Sequence, residues 1–276
     1  MSAFSAPQLP PLYGARIFPQ DPQHWVHVVE SPKLLRVVFD GATVADSKRV
    51  LLLREARCLP VYYFPPADVS MDLLTPSEHT TRCPYKGEAR YWSVEAGNRT
   101  AGEAAWSYPE PPAECAAIRD FLSFEWRRME AWYEEDEEVF VHARDPFKRI
   151  DVLQSSRHVE IVAGGEKVAD TRRPKLLLEP GHPIRYYIPR EDARMERLER
   201  SATSTRCPYK GIASYWSLRA GDQLLKDLVW SYQDPVPECP KVKGLLCFFN
   251  ERVDAIYVDG ERMPTPVTKW SQGAER

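Results

Sequence analysis

The heptapeptide Thr-Arg-Cys-Pro-Tyr-Lys-Gly occurs at residues 81–87 and again, letter for letter, at residues 205–211. It sets a thiol, a phenol and an ammonium in a turn that proline stiffens and glycine allows to close tightly. A lysine fixed in such a turn, Lys86 or Lys210, suits two kinds of chemistry. It can anchor a carboxylate or phosphate, or act as a base if its pKa is lowered. The same lysine equally suits a structural ion pair with Glu55 or Glu179 that ties sheets together, and both readings stay open at this point. Cys83 and Cys207 follow an arginine, whose charge favours thiolate and so nucleophilic attack. No histidine is kept between the two copies to serve as the base: His182 falls opposite Cys58, and His158 opposite Leu34. Thiol catalysis is therefore not the expectation.

The heptapeptides are 124 residues apart (205 − 81), and that offset aligns most of the chain without a gap. Asp21-Pro22 falls on Asp145-Pro146, Tyr62-Tyr63 on Tyr186-Tyr187, Tyr91-Trp92-Ser93 on Tyr215-Trp216-Ser217, and Trp106-Ser107-Tyr108 on Trp230-Ser231-Tyr232. A period this long means tandem globular domains rather than a solenoid of small repeats. The differences between copies are as informative as the identities. Lys148, Arg149, Asp151, His158, His182 and Arg185 stand opposite His24, Trp25, His27, Leu34, Cys58 and Val61. A lattice needed for folding should survive in both copies, whereas a site needed once need not.

The elements that must position these residues read as β. Leu35–Phe39, Val61–Phe64 and Val159–Val162 are short, β-branched or aromatic runs bounded by Gly, Pro or Asp. Asp40-Gly41 and Gly164-Gly165 read as hairpin turns, and Gly97-Asn98 and Gly221-Asp222 as loops. Helical signal is confined to Pro65–Leu74, its counterpart Pro189–Leu198, and short stretches after Pro112 and Pro237. The acidic run Glu134–Glu138 reads as a solvated linker. The expected organisation is an N-terminal arm (1–20), a first domain (21–138) and a second (139–276), each small and β-rich with a few short helices.

At 276 residues, two domains of this size can each bury a core. An apolar share of 43% is that of a folded chain, and a net charge of −3 gives no basic excess for nucleic acid. No run approaches the length of a membrane span, and the first twenty residues lack the pattern of a secretory signal. The expectation is a cytoplasmic protein, partnered by a small molecule rather than by nucleic acid or membrane. Six cysteines without a Cys-x-x-Cys are expected as buried free thiols in a reducing compartment. The 32-residue spacing shared by Cys83/Cys115 and Cys207/Cys239 leaves a disulfide or a metal pair as alternatives. No cofactor and no metal, zinc included, is expected.

Copy two carries Asp145-Pro146-Phe147-Lys148-Arg149-Ile150-Asp151-Val152-Leu153, Ser155-Ser156-Arg157-His158-Val159, Val168-Ala169-Asp170-Thr171, Arg185-Tyr186-Tyr187-Ile188-Pro189 and Cys207-Pro208-Tyr209-Lys210-Gly211 with Tyr215-Trp216. In this order they resemble the family catalogued as domain of unknown function 427, from about Asp145 to Gly260. Copy one resembles it less faithfully, from about Asp21 to Asp136. The resemblance implies a β-tent-like fold, two antiparallel sheets pinned together at one end, present here as two small tandem domains. Relatives in that fold group hold zinc through paired Cys-x-x-Cys motifs, which this chain lacks. The family has also been filed under a nucleotidyltransferase label, but no Gly-rich phosphate loop or Asp-x-Asp pair supports that chemistry here.

The functional expectation is a site in copy two for a small, partly anionic organic molecule. Asp151, Arg149 and Lys210 are the candidates for catalysis, with Asp151 as the acid or base. Arg185, Tyr187, Tyr209, Trp216 and His158 are the candidates for holding the substrate. Copy one is expected to be chiefly structural, with a less polar pocket. The enzymatic form is a cofactor-independent isomerase, cyclase, dehydratase or hydrolase of secondary metabolism. The alternative is a non-catalytic ligand-binding or protein-interaction module.

Overall fold

The computed structural model describes residues 14–271. The chain divides into two compact units, Met1–Asp145 and Pro146–Arg276. Both are mostly β, built from five antiparallel sheets, and the helical elements among the described residues are seven short 3-10 turns. Four of these turns fall on the two Pro-led stretches with helical signal (Pro66–Asp68, Met71–Leu73, Arg190–Asp192, Met195–Arg197), and two follow Pro112 and Pro237. Most of the expected N-terminal arm lies outside the described residues. Its last part, Arg16–Phe18, is a strand paired with Asp21–Glu30.

The second unit has one seven-stranded sheet. Its spatial order is Asp151–Gln154, Lys175–Leu178, Arg185–Ile188, Leu246–Phe248, Gln223–Pro235, Gly211–Ala220, Leu198–Cys207. One face packs on a four-stranded sheet ordered Glu166–Thr171, Val159–Ala163, Ala255–Val258, Glu261–Arg262. The first unit repeats the plan. Its large sheet comes in two four-stranded parts, which backbone hydrogen bonds between Phe64 and Leu122 (2.7 and 2.9 Å) join.

Strand alternation decides which side chains meet, because successive residues point to opposite faces. Tyr186, Ile188, Trp216, Val229 and Phe248 enter the core between the two sheets. Their neighbours Tyr187, Tyr215, Trp230 and Cys247 share the opposite face with Tyr232 and Phe249. The first unit divides the same way: Tyr62 and Trp92 pack between sheets, Tyr63, Tyr91 and Trp106 on the other face. The aromatic pairs read from the sequence thus serve two separate clusters.

The Asp40-Gly41 and Gly164-Gly165 hairpins form as expected, all four residues at positive φ. The glycine closing each heptapeptide has a more specific task. Gly211 sits at φ +99°, and a Cβ there would lie 3.1 Å from the Asp234 carbonyl oxygen; Gly87, at φ +90°, faces Glu110 in the same way. Only a residue without a side chain lets this turn lie against the following loop.

The acidic run is not a linker. Glu134 ends the strand Ala131–Glu134, Glu135 turns at φ 56°, and Glu137–Glu138 pairs back. Glu134 is buried and accepts hydrogen bonds from Tyr62 Oη (2.8 Å), Arg144 Nε (3.0 Å) and Lys33. Burial pushes its carboxyl up, but the hydrogen bonds from Lys33 and Tyr62 outweigh that and leave it below the usual range. Asp259-Gly260 forms the corresponding hairpin tip in the second unit. Counting charges could not separate a hairpin tip from a solvated tether. The chain continues in the first unit as far as Asp145, whose carboxylate accepts from Arg54 Nε at 2.9 Å.

Candidate functional site

In the second unit the large sheet curls until its ends meet. Glu179, just after the second strand in spatial order, reaches Lys210, in the turn between the sixth and seventh. Lys210 Nζ donates to Glu179 Oε2 at 2.5 Å, and Lys148 Nζ lies 2.6 Å from Oε1. Lys148 also stands over the ring of Tyr209, 4.9 Å from its centroid. His182 Nδ1 is 3.8 Å from Glu179 Oε1 and donates to the Pro180 carbonyl at 3.1 Å. Burial works against the Glu179 charge, yet the Lys210 ammonium and the hydrogen bonds from both lysines win and bring its pKa down to about 2. Burial also pulls His182 below the usual imidazole range, so the ring favours its neutral form. Two ammoniums against one carboxylate leave a single positive charge in a largely buried place (+2 − 1 = +1).

The first unit keeps the Glu–Lys pair and changes its third member. Lys86 Nζ pairs with Glu55 Oε2, while His24 Nε2 lies 2.8 Å from Oε1. His24 stacks flat on Tyr85 (centroids 3.5 Å apart), and Tyr85 Oη donates to Asp21 at 2.8 Å. Burial works against the Lys86 charge, but the Glu55 hydrogen bond and charge raise its pKa, so Lys86 remains a cation and not a base. The structural ion pair left open by the sequence is therefore present in both copies. Copy one also holds a polar group away from this pair. Arg54 Nε binds Asp145, and its Nη1 donates to His27 Nδ1 at 3.3 Å, on the face of the strand opposite Glu55. Burial, then the Arg54 charge, lower the His27 pKa.

The residues expected to form one constellation in copy two are divided among several partners. Arg149 and Asp151 bind each other, Nε to both carboxylate oxygens (2.9 and 3.0 Å), and the Arg149 side chain is 82% exposed. Arg185 is buried and gripped by Glu251 through two hydrogen bonds (2.6 and 2.7 Å). Its guanidinium faces the rings of Trp230, Trp270 and Phe249, at 5.4, 5.5 and 5.9 Å. Tyr187 is fully buried and accepts from Trp230 Nε1 at 3.3 Å; burial pushes its phenol far above the usual range. Trp216 lies on the opposite face of the sheet, in the core, with Arg190 over its ring at 5.0 Å. His158 belongs to the small sheet's side, 2.7 Å from Asp170.

Lys210, Tyr209, Tyr187 and Arg185 thus gather around one aromatic cluster. Trp216 and His158 are elsewhere, and the Arg149–Asp151 pair is spent on itself. Glu179, Lys148 and His182 complete the site. The copy alignment already set Lys148 against His24 and His182 against Cys58, and Glu179 was visible as the counterpart of Glu55. Glu251 and Trp270 carried no such signal, since Arg127 and Pro146 stand opposite them.

Among the described residues, one group has metal-like spacing: His158, Glu160 and Asp170. The Lys167 ammonium already bridges its two carboxylates, at 2.7 and 2.5 Å. All six cysteines are free thiols, but the expected burial holds for Cys115, Cys239 and Cys247 alone: Cys83 and Cys207, at the turn ends of their strands, are half-buried, and Cys58, in a loop, is exposed. Burial raises Cys58, Cys239 and Cys247 and takes Cys115 up to about 12, away from the reactive thiolate.

No curated protein matches the chain. The model of the family described as Domain of unknown function (DUF427) matches it twice, over residues 27–135 and 151–259. Each match runs from the strand before the first hairpin, through the Cys-Pro-Tyr-Lys-Gly turn, to the last hairpin of its unit. With most of the chain matched in two successive copies, the protein belongs to the DUF427 family as a tandem two-domain member.

Proposed function

We propose that the second unit binds a small, partly anionic organic molecule at the Lys148–Glu179–Lys210 cluster. The observation that carries this reading is the uncompensated charge: two lysines share one buried carboxylate, where the first unit sets one lysine and a histidine against its glutamate. A cation held away from bulk water attracts an anion far more strongly than one on the surface. The aromatic cluster beside it supplies apolar walls.

In an enzymatic form, His182 is the group placed to take or give a proton, being neutral and beside the charges. The pairing of Asp151 with Arg149 at the surface favours the non-catalytic form over an acid–base role for Asp151. The cytoplasmic placement belongs to the same proposal: six uncrosslinked thiols suit a reducing compartment. Among the described residues no helix is long and apolar enough to cross a membrane.

The test is a titration of the full chain with acetate and benzoate, comparing Lys210→Ala with Lys86→Ala. A charge-assisted hydrogen bond of about 1.5–3 kcal/mol makes Lys210→Ala about ten- to a hundred-fold weaker, with Lys86→Ala unchanged. Loss of binding in Lys86→Ala alone would assign the site to the wrong unit.

A further inference from the structure

The segment Pro264–Ser271 follows the last hairpin of the second unit without pairing to any strand. It closes on itself: Ser271 N donates to the Thr268 carbonyl (3.0 Å), Thr268 N to Ser271 Oγ (3.0 Å) and Trp270 N to Thr268 Oγ1 (3.1 Å). Among the described residues, two of its side chains tie it to the rest of the unit. Thr268 Oγ1 donates to Glu251 Oε1 at 2.8 Å, and the half-buried Trp270 ring packs against the aromatic cluster.

The place where Trp270 lies is built from cationic and aromatic groups. Its ring stands 5.5 Å from the Arg185 guanidinium and 5.5 Å from the His182 ring. Glu251 fixes Arg185 edge-on through both terminal nitrogens, which leaves the faces of the guanidinium for rings. On the far side of His182 lie Glu179 and its two lysines. A planar ring slot and a monocationic cluster are therefore adjacent, with His182 touching both. The first unit keeps the Glu55–Lys86 pair and lacks the other members. At the 124-residue offset Pro146 stands for Trp270, Val61 for Arg185, Cys58 for His182 and His24 for Lys148.

We infer that Trp270 is an internal occupant of an aryl subsite, and that the ligand of the second unit is an aromatic monocarboxylate whose ring displaces Trp270 while its carboxylate reaches Lys148 and Lys210. The inference rests on the anion-binding reading above and adds the ring. The strap then acts as a competitor. The ligand binds the fraction of molecules in which Trp270 has swung out, and its apparent affinity is reduced by that fraction. A segment held by one hydroxyl hydrogen bond and the packing of one side-chain ring opens locally at lower cost than a paired strand.

Calorimetric titration of the full chain with indole-3-acetate, indole and acetate tests this, using wild type, Trp270→Ala, Thr268→Val and Lys210→Ala. Thr268→Val loosens the strap while keeping Trp270 and both Arg185–Glu251 hydrogen bonds, and so reports even if Trp270→Ala perturbs folding. Expected are tightening for indole-3-acetate by about tenfold in both strap variants, no change for acetate, and weakening of both acids in Lys210→Ala. If Lys210→Ala weakens both acids but neither strap variant tightens indole-3-acetate relative to acetate, the aryl subsite is wrong while the anion site stands. If Lys210→Ala changes neither acid, both readings fall. If indole-3-acetate binds no form of the protein, the ligand class is wrong.

Discussion

Replacing Glu179 with glutamine removes the carboxylate that two lysines share and leaves their charges facing each other in a buried place. The magnitude follows from the acidity of the group. Its pKa falls from 4.5 to about 2 in the fold, a drop of about 2.5, which at ~1.36 kcal/mol per unit amounts to about 3 kcal/mol. Stranding the partners of a buried pair costs a similar amount, ~3–5 kcal/mol. Because the folded pKa is the lower one, the unfolded chain takes up the proton first on acidification. The contribution is complete above about pH 4.5 and is lost as the pH falls towards 2. The assay is urea unfolding of the full chain at several pH values, read by a pulse of hydrogen exchange and mass spectrometry. Peptides over Lys175–Ile188 report the second unit and peptides over Leu51–Tyr63 the first. Glu179→Gln should destabilise the second unit by about 3 kcal/mol at pH 7, spare the first, and flatten the second unit's acid dependence between pH 4.5 and 2. A loss below about 1 kcal/mol, the range of an exposed ion pair, or an unchanged acid profile, would refute the reasoning.

Arg185→Leu should cost the second unit about 3–5 kcal/mol, because the side chain of Glu251 is fully buried and would keep its charge without its partner; the same urea assay checks it, and a near-neutral outcome would mean that the pair is not buried as described. Gly211→Ala should cost about 1–3 kcal/mol, since the new Cβ meets the Asp234 carbonyl at a positive φ; the measurement is the midpoint of the second unit's melt, with Gly221→Ala as a comparison where a Cβ meets nothing within 4 Å.

Much of the fold was legible because it depends on local chemistry repeated twice. The hairpin dipeptides, the β-branched runs and the Pro-led turns each point to one backbone conformation, and the 124-residue offset reports the same conformation again. What escaped was long-range. Whether Trp216 or Tyr215 faces the site depends on which side of the sheet meets the second sheet, and alternation along the strand leaves that choice open. Arg149, Asp151, His158 and Arg185 differ together between the copies, yet each is paired with its own acid or base, so joint change did not mean joint action. Conversely Glu179 looked unremarkable because both copies keep it. The functional contrast sits in its second partner, Lys148 against His24, and only the curl of the sheet shows that these residues share one carboxylate. The acidic run misled for a related reason: Glu134 takes its partners from positions 33, 62 and 144, none of them visible in its own neighbourhood.

The most direct test of the account gives the second unit the first unit's partners around its glutamate. Lys148→His keeps a nitrogen beside Glu179 Oε1, as His24 does beside Glu55, and replaces the second ammonium by an imidazole. Calorimetric titration of the folded variant with benzoate should show binding weakened by about ten- to a hundred-fold. Wild-type affinity in Lys148→His would contradict the claim that the uncompensated lysine makes this the ligand site.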